Sequence, residues 1–364
     1  MTVRIVTATL ASLVAVATGM TGSRVAAAAT DPCTGWTSKT LVSGLGVLED
    51  IEADRRGGML LSNQSNSTVQ RLTPDGTITT FASSVSGPGG ERVIGGVLFV
   101  ATGDSAASST TETHDGTIAR IALDGGSRTT YASNLVGPNG LVFGPEGSAY
   151  TTRDDLNSDS AITRVPAADP SAAQESWAHL GDTNGVSIDP TGTWLYADVT
   201  FDANAPVYRI RLSDPTDIHL LANLGTAGGV PVIKGLDDLT IDSSGVLYIA
   251  ANGSGEVVRL DPSTGASCVI VSGLQNPSAL KFGAGQGWNP GHLYLVGFDG
   301  AVRELIPPPG LVLAPEPDLI TVPPGGAGAT IPEFGAAPAF YAIGAIGLTA
   351  LVLIRRRQRP RRSS

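Results

Sequence analysis

The sequence predicts an all-β protein, a six-bladed β-propeller. Three observations indicate this fold: the composition, a short motif that recurs along the chain, and a pair of strands within each recurring unit. Glycine (46 residues) and proline (24) are abundant among the 364 residues, and Val, Thr, Ser and Ile fill the short runs between the glycines. This composition favours strands and turns over helices.

The recurring motif has the form Val/Ile-x-Arg. Its last position falls at Arg71, Arg120, Arg164, Arg209 and Arg259, and a sixth copy has Glu304 there. Consecutive copies are 44 to 50 residues apart, which is the length of one four-stranded propeller blade. Because these arginines occupy the same position in each unit, we expect them to have a structural role.

Each unit also contains two apolar strands joined by a glycine-containing turn. In the third unit, residues 141–143 and 148–150 flank Pro145-Glu146-Gly147, and such residues are typical of a tight hairpin. The N-terminal segment 42–45 repeats the sequence of 271–274 but has no blade of its own. We therefore predict that it is the outer strand of the sixth blade and closes a propeller that spans residues 31–305.

The chain has two cysteines, Cys33 and Cys268. An even number of cysteines in an exported protein favours a disulfide, and this one would join the closing strand to the fifth blade. Neither cysteine has a second cysteine or a histidine at the spacing of zinc ligands, so a zinc site is not expected.

The N-terminal residues 1–29 have the pattern of a secretory signal peptide. Arg4 precedes an apolar stretch, and the small residues 25–29 offer an A-x-A cleavage site. We therefore expect the protein to be exported.

The C-terminal part predicts a membrane anchor. A Pro/Gly linker (306–332) leads into an apolar segment (333–354) long enough to span a bilayer, and a basic tail (355–364) follows. Arginines after a span hold that end in the cytoplasm, so the propeller is expected at the cell surface. The run Ile331-Pro332-Glu333-Phe334 before the span resembles the tails cleaved by exosortase and archaeosortase enzymes, which implies a sortase-like processing enzyme. A retained transmembrane helix is the alternative.

The net charge is −10, and the basic tail contains six arginines, so the rest of the chain is strongly acidic. No stripe of Lys and Arg occurs outside the tail, which argues against nucleic acid as a partner. An acidic body is compatible with cation binding. We expect a monomer.

Aligning the units places four oxygen-bearing side chains in one column, each two residues before the apolar part of an inner strand: Glu49, Asn139, Asn184 and Asp237. Equivalent positions of a propeller converge on one mouth of its central channel. Two carboxylates and two amides there suit Ca²⁺ or another hard divalent cation. The alternative is that these are ordinary turn residues, aligned only because the units repeat.

The rows Pro138-Asn139-Gly140-Leu141, Thr183-Asn184-Gly185-Val186 and Asp237-Asp238-Leu239, with the upstream Glu49, resemble the senescence marker protein and gluconolactonase family over residues 45–305. The resemblance implies a six-bladed propeller that holds a divalent metal, commonly calcium, and hydrolyses lactones. It implies that Glu49, Asn139 and Asn184 are metal ligands. Asp237 would be both a ligand and the catalytic acid/base, supported by Asp198 or Asp238.

Two functions follow from this sequence. The first is a surface-displayed, metal-dependent hydrolase of small lactones or esters. The second is a non-catalytic surface propeller that binds a protein or polymer partner. The column favours the first function. Three departures from the family pattern favour the second: Asp50-Ile51 follow Glu49 in place of Gly-Pro, Asp238 follows Asp237 in place of Gly, and Gly137 stands near the position of a substrate-contacting Arg.

Overall fold

The computed structural model describes residues 31–105, 108, 110–125, 128–153, 161–227, 230–231, 233–316 and 319–320. The expected signal peptide (1–29), apolar segment (333–354) and basic tail (355–364) lie outside these residues. Within the part of the chain that is described, no helix is long and apolar enough to cross a membrane.

Six four-stranded antiparallel sheets form the molecule, which confirms the predicted all-β six-bladed propeller. Blade 1 comprises β2 (Leu48–Ala53), β3 (Met59–Asn63), β4 (Thr68–Leu72) and β5 (Ile78–Ala82). Blade 2 comprises β6 (Glu91–Ile94), β7 (Val97–Thr102), β8 (Gly116–Ala122) and β9 (Thr129–Leu135). Blade 3 comprises β10 (Pro138–Phe143), β11 (Ala149–Arg153), β12 (Ala161–Val165) and β13 (Gln174–His179).

The other three blades repeat this order from inner to outer strand. Blade 4 comprises β14 (Thr183–Ile188), β15 (Trp194–Val199), β16 (Pro206–Arg211) and β17 (Asp214–Asn223). A short hairpin, β18 (Thr226–Ala227) and β19 (Val230–Pro231), precedes blade 5. Blade 5 comprises β20 (Leu236–Ile241), β21 (Leu247–Ala251), β22 (Glu256–Leu260) and β23 (Ser267–Val271). Blade 6 comprises β24 (Pro277–Phe282), β25 (Leu293–Gly297), β26 (Val302–Ile306) and, as outer strand, β1 (Thr37–Val42).

The N-terminal strand β1 closes the ring by pairing with β26, as predicted. The strands are antiparallel, and Lys39 lies opposite Glu304. The closing strand lies upstream of the expected segment 42–45, of which only Val42 belongs to it. Gly44 has a φ of +79° and Gly46 a φ of +93°, backbone conformations that end a strand. Cys33, just before β1, is disulfide-bonded to Cys268 on β23, which confirms the expected link between the closing strand and blade 5.

The recurring Val/Ile-x-Arg motif lies on the third strand of each blade: β4, β8, β12, β16, β22 and β26. Its arginines make contacts within their own blades. Arg71 Nε lies 2.6 Å from Asp54 Oδ2, and Arg164 donates a hydrogen bond of 2.9 Å to Ser148 Oγ. The motif therefore fixes the geometry of the blades.

Six buried apolar clusters lie between neighbouring blades among the described residues. Phe99 of blade 2 packs against Phe143 of blade 3, for example, with ring centroids 4.8 Å apart. Because each blade buries apolar side chains against both neighbours, the ring holds the inner strands at fixed positions around the channel.

The chain after β26 crosses the face of the propeller at the ends of the inner strands. Leu313 is buried in the apolar cluster between blades 5 and 6, and the Ala314 carbonyl accepts a hydrogen bond of 3.0 Å from Ser243 N. Glu316, Leu319 and Ile320 line a cavity of about 490 Å³ on this face. The first part of the expected 306–332 linker thus covers this end of the channel.

Candidate metal centre at the start of the inner strands

The four column residues occupy the second position of four inner strands. Glu49 lies on β2, Asn139 on β10, Asn184 on β14 and Asp237 on β20. None of them is more than 6% exposed. The structure therefore brings oxygen-bearing side chains from four blades to the same end of the channel.

A β-bulge shapes each of these positions. In blade 1, Leu48 pairs with Asn63 and Ile51 with Leu61, so Glu49 and Asp50 together face Ser62 alone. The same two-against-one register occurs in blades 3, 4, 5 and 6. A bulge bends its strand and re-aims the side chain at that point, which explains how regular strands present polar groups at the mouth.

Side chains on the second strands hold these bulges in place. Gly140 N donates a hydrogen bond of 2.8 Å to Thr152 Oγ1, whose hydroxyl donates to the Asn184 carbonyl. Gly185 N donates a hydrogen bond of 2.8 Å to Asp198 Oδ1. Asp198, which the family resemblance marks as a supporting residue, thus fixes the backbone next to Asn184.

The glycines of the Asn-Gly pairs are required by close approach of the neighbouring blade. A Cβ added at Gly140 would lie 2.4 Å from the Asn184 carbonyl oxygen, and one at Gly185 would lie 2.7 Å from the Asp237 carbonyl oxygen. Both distances are too short for any side chain, so the inner strands meet backbone to backbone at this level.

Two of the column residues touch each other directly. Asn139 Nδ2 donates a hydrogen bond of 3.2 Å to Glu49 Oε1, although the two residues belong to blades 3 and 1. Asn184 Oδ1 is buried and has no hydrogen-bond partner. A buried acceptor without a donor is costly, and a cation would satisfy it.

Asp237 is oriented by two asparagines. Asn252 Nδ2 donates a hydrogen bond of 3.0 Å to Asp237 Oδ2, and Asn276 Nδ2 donates one of 3.0 Å to Asn252 Oδ1. No sequence pattern marks either asparagine, because both follow blade 5 strands in loops outside the repeating pattern.

The donor set fits a hard divalent cation that takes oxygen ligands from carboxylates and amides together. The described residues contain no group of three or more His, Cys, Asp or Glu placed to hold a metal ion. Any cation at this site therefore depends on the two amide oxygens as well as on the two carboxylates. The orphaned Asn184 Oδ1 is the observation that supports such a role.

A charged layer lies one to three residues further along the inner strands: Asp50, Glu52, Glu91, Arg92, Asp238 and Lys281. Lys281 Nζ lies 2.8 Å from Asp238 Oδ2, and Arg92 Nη1 lies 3.8 Å from Glu52 Oε2. Asp50 accepts hydrogen bonds from the backbone of Ile51 and Glu91. The carboxylates of Asp50 and Asp238 therefore belong to the charged layer. Glu49 and Asp237, at the second position of their strands, are the carboxylates of the column.

Burial dominates the electrostatics of the charged layer. It raises the pKa of Asp50 to about 6, against the lowering effect of Lys281. It raises the pKa of Glu52 to about 7, against the lowering effect of Arg92. Burial, with repulsion from Asp50, raises the pKa of Glu91 well above its ordinary value. At neutral pH these three carboxyl groups therefore carry less negative charge beneath the column than three ordinary carboxyl groups would.

A carboxylate from outside the inner strands, that of Asp104, also reaches the column. Asp104, in the loop after β7, accepts hydrogen bonds from Gln64 and Asn139. Burial raises its pKa to about 6, opposed by those hydrogen bonds. No repeat marks Asp104, since it lies outside the inner strands.

Arg153 lies beside Pro138 in the β10 and β11 pair and 3.4 Å from Glu112, so an arginine does stand near Asn139.

The family model for the SMP-30/Gluconolactonase/LRE-like region matches residues 51–296. The chain belongs to this family. The match covers all six inner strands of this chain except the first three residues of β2. Glu49 is one of these three residues. No protein among the curated sequences matches the chain.

Solved structures of similar fold have various functions. A gluconolactonase from Xanthomonas campestris has a TM-score of 0.60 and 17% identity, over 76% of this chain and 91% of that one. A luciferin-regenerating enzyme has a TM-score of 0.56 and 15% identity, over 78% and 99%. An auxiliary nutrient binding protein from Bacteroides ovatus has a TM-score of 0.57 and 14% identity, over 75% and 76%. At these identities the likeness shows the fold alone.

Proposed function

We propose that this chain is a divalent-metal-dependent hydrolase of small lactones or esters, with Ca²⁺ as the expected cation. The observation that carries the proposal is the column itself: two carboxylates and two amides, buried together, with Asn184 Oδ1 left without a donor. Membership of the SMP-30/gluconolactonase family supports the same chemistry.

The four column residues would have two different roles. Glu49, Asn139 and Asn184 would hold the cation, and Asp237 would hold it and exchange a proton with the attacking water or the leaving alcohol. When bound, the cation would supply polarisation of the ester carbonyl and a lower pKa for a coordinated water. The hydrogen bond from Asn252 keeps the Asp237 carboxylate in one orientation, as a general base requires.

The covered far end of the channel supports access to this site from the column mouth. The segment that contains Leu313 and Glu316 lies across the opposite face. A substrate would therefore approach the column residues from the mouth at which they lie, without passing the charged layer.

Calcium titration by calorimetry, followed by a panel of lactones and esters, tests the proposal. We expect saturable binding and metal-dependent turnover in the wild type, and loss of both in Asp237→Ala. Asp124→Ala is the matched control, because Asp124 is an exposed aspartate in a turn after β8, and it should behave as the wild type. Binding without turnover of any ester would favour the non-catalytic surface propeller. Absence of binding in the wild type would overturn the metal centre.

We also propose that the protein is exported and anchored at the cell surface through its C-terminal segment. The Cys33–Cys268 disulfide supports an oxidising compartment. Protease treatment of intact cells should remove the propeller. Mass spectrometry of the surface protein would show whether a sortase-like enzyme cleaves near Pro332, and gel filtration would test the expected monomer.

A further inference from the structure

The position of blade 2 that corresponds to the column is a glycine and contributes no side chain. In its strand register Arg92 pairs with Phe99, which pairs with Arg120 of the motif. In blade 1, Glu52 pairs with Leu60, which pairs with Arg71 of the motif. Gly89 is therefore the counterpart of Glu49. A Cβ at Gly89 would lie 3.0 Å from the Asn139 carbonyl oxygen, so the position has little room for a side chain. Glu49 and Asn139 meet across this gap.

Asp104 brings a carboxylate from blade 2 to the same place by another route. Its Oδ2 accepts a hydrogen bond of 2.7 Å from Gln64 Nε2 and one of 3.3 Å from Asn139 Nδ2. Gln64 belongs to the turn between β3 and β4 of blade 1. The Asp104 carboxylate thus joins blades 1, 2 and 3 at the column.

The backbone of Asp104 is fixed by the segment that leads into blade 2. Gly103 N donates a hydrogen bond of 2.9 Å to the Ser86 carbonyl, and Asp104 N donates one of 3.2 Å to the Gly87 carbonyl. A Cβ added at Gly87 would lie 1.9 Å from the Asp104 carbonyl oxygen. The two segments fit together only with glycine at this position, so the carboxylate is held at a defined place beside Asn139.

These contacts determine which atom of the Asn139 amide can act as a ligand. An amide coordinates a cation through its oxygen, whereas its NH₂ group only donates hydrogen bonds. Both hydrogens of Asn139 Nδ2 have carboxylate acceptors, Glu49 Oε1 and Asp104 Oδ2. A rotated amide would place its oxygen against two carboxylates, which is unfavourable.

We infer that Asp104 is a positioning residue of the metal centre, which fixes the Asn139 amide so that Oδ1 is available to the cation. The inference rests on the proposed function. Partners that orient metal ligands typically contribute about 10-fold to 100-fold in affinity, and we expect an effect of that size here.

Calcium titration of the purified protein and its Asp104→Asn variant tests the inference. The variant keeps the shape of the side chain but loses the charge and can turn an NH₂ group toward Asn139. We expect the calcium affinity to fall by about 10-fold to 100-fold, while the melting temperature without calcium stays the same or rises. Asp115→Asn is the matched control, because Asp115 is exposed on the same blade 2 loop and contacts Thr113.

A double-mutant cycle separates orientation from charge. In an Asn139→Asp background either carboxylate oxygen can coordinate, so the ligand no longer needs to be oriented. Adding Asp104→Asn to this background should leave the calcium affinity unchanged or raise it.

Each outcome of the two experiments decides between the proposals. An equal fall in calcium affinity in both backgrounds would show that Asp104 acts only through its charge and would overturn the inference. Unchanged affinity in Asp104→Asn, with a wild type that binds calcium, would also overturn it while leaving the proposed function intact. A wild type that binds no calcium would overturn both.

Discussion

Asn252 Nδ2 donates a hydrogen bond of 3.0 Å to Asp237 Oδ2, and this contact lies at the centre of the proposed chemistry. Asn252 is only 7% exposed and is itself held by Asn276. Asn252→Ala should leave the Asp237 carboxylate without this fixed donor and lower kcat by about 10-fold to 100-fold. Steady-state kinetics on a hydrolysed ester would measure the effect.

The control for Asn252→Ala is Asn223→Ala, at an exposed asparagine that ends β17. This variant should keep the wild-type kcat. If Asn252→Ala also kept it, the asparagine would not orient a catalytic group, and Asp237 would act as a ligand alone.

A methyl group at Gly185 should disturb Asp237 of the column and Asp238 of the charged layer at once. The added Cβ would lie 2.7 Å from the Asp237 carbonyl oxygen and 2.8 Å from Asp238 Cα. Overpacking of this kind costs about 1–3 kcal/mol of unfolding free energy. We therefore expect Gly185→Ala to lower the urea midpoint and to weaken calcium binding. Gly291→Ala is the control, because its nearest neighbours lie 3.5 Å or more from the added atom. Wild-type behaviour of Gly185→Ala would show that the inner strands can separate.

Removal of Lys281 should destabilise the propeller more than removal of the whole ion pair. Lys281 Nζ lies 2.8 Å from Asp238 Oδ2, and both side chains are buried. Breaking a buried pair leaves an uncompensated charge and costs about 3–5 kcal/mol, whereas replacing both partners by apolar groups is often neutral. Chemical denaturation should show a large loss in Lys281→Met and a recovery in the double variant with Asp238→Leu. Equal losses in both variants would contradict this account.

The fold could be predicted from the sequence because its signal repeats. The position of Arg71 recurs at Arg120, Arg164 and beyond, and each copy lies on the third strand of a blade. The closing strand was harder to place. The match between 42–45 and 271–274 indicated its existence, but glycines with positive φ at Gly44 and Gly46 end the strand at Val42. Similarity of sequence therefore identified the element and missed its bounds.

The site was predictable only where it follows the repeat. Glu49, Asn139, Asn184 and Asp237 share one strand position, so alignment of the units placed them together. Asp104 and Asn252 reach the same site from loops, and contacts that depend on the closed ring bring them there. The positions of loop side chains depend on packing between blades, which no local pattern encodes.

The stability of the propeller should fall as the pH rises from about 4.5 to about 7 because of Glu52. Burial raises the pKa of Glu52 from 4.5 to about 7 in the folded protein, so the protonated form favours folding. Its contribution, at most roughly 3 kcal/mol, is complete below the unfolded pKa and is lost as the pH approaches 7. Urea midpoints across this range should vary less in Glu52→Gln than in the wild type. Asp124→Asn, at an exposed aspartate in the turn after β8, should keep the wild-type slope. An unchanged slope in Glu52→Gln would assign the pH dependence to other groups.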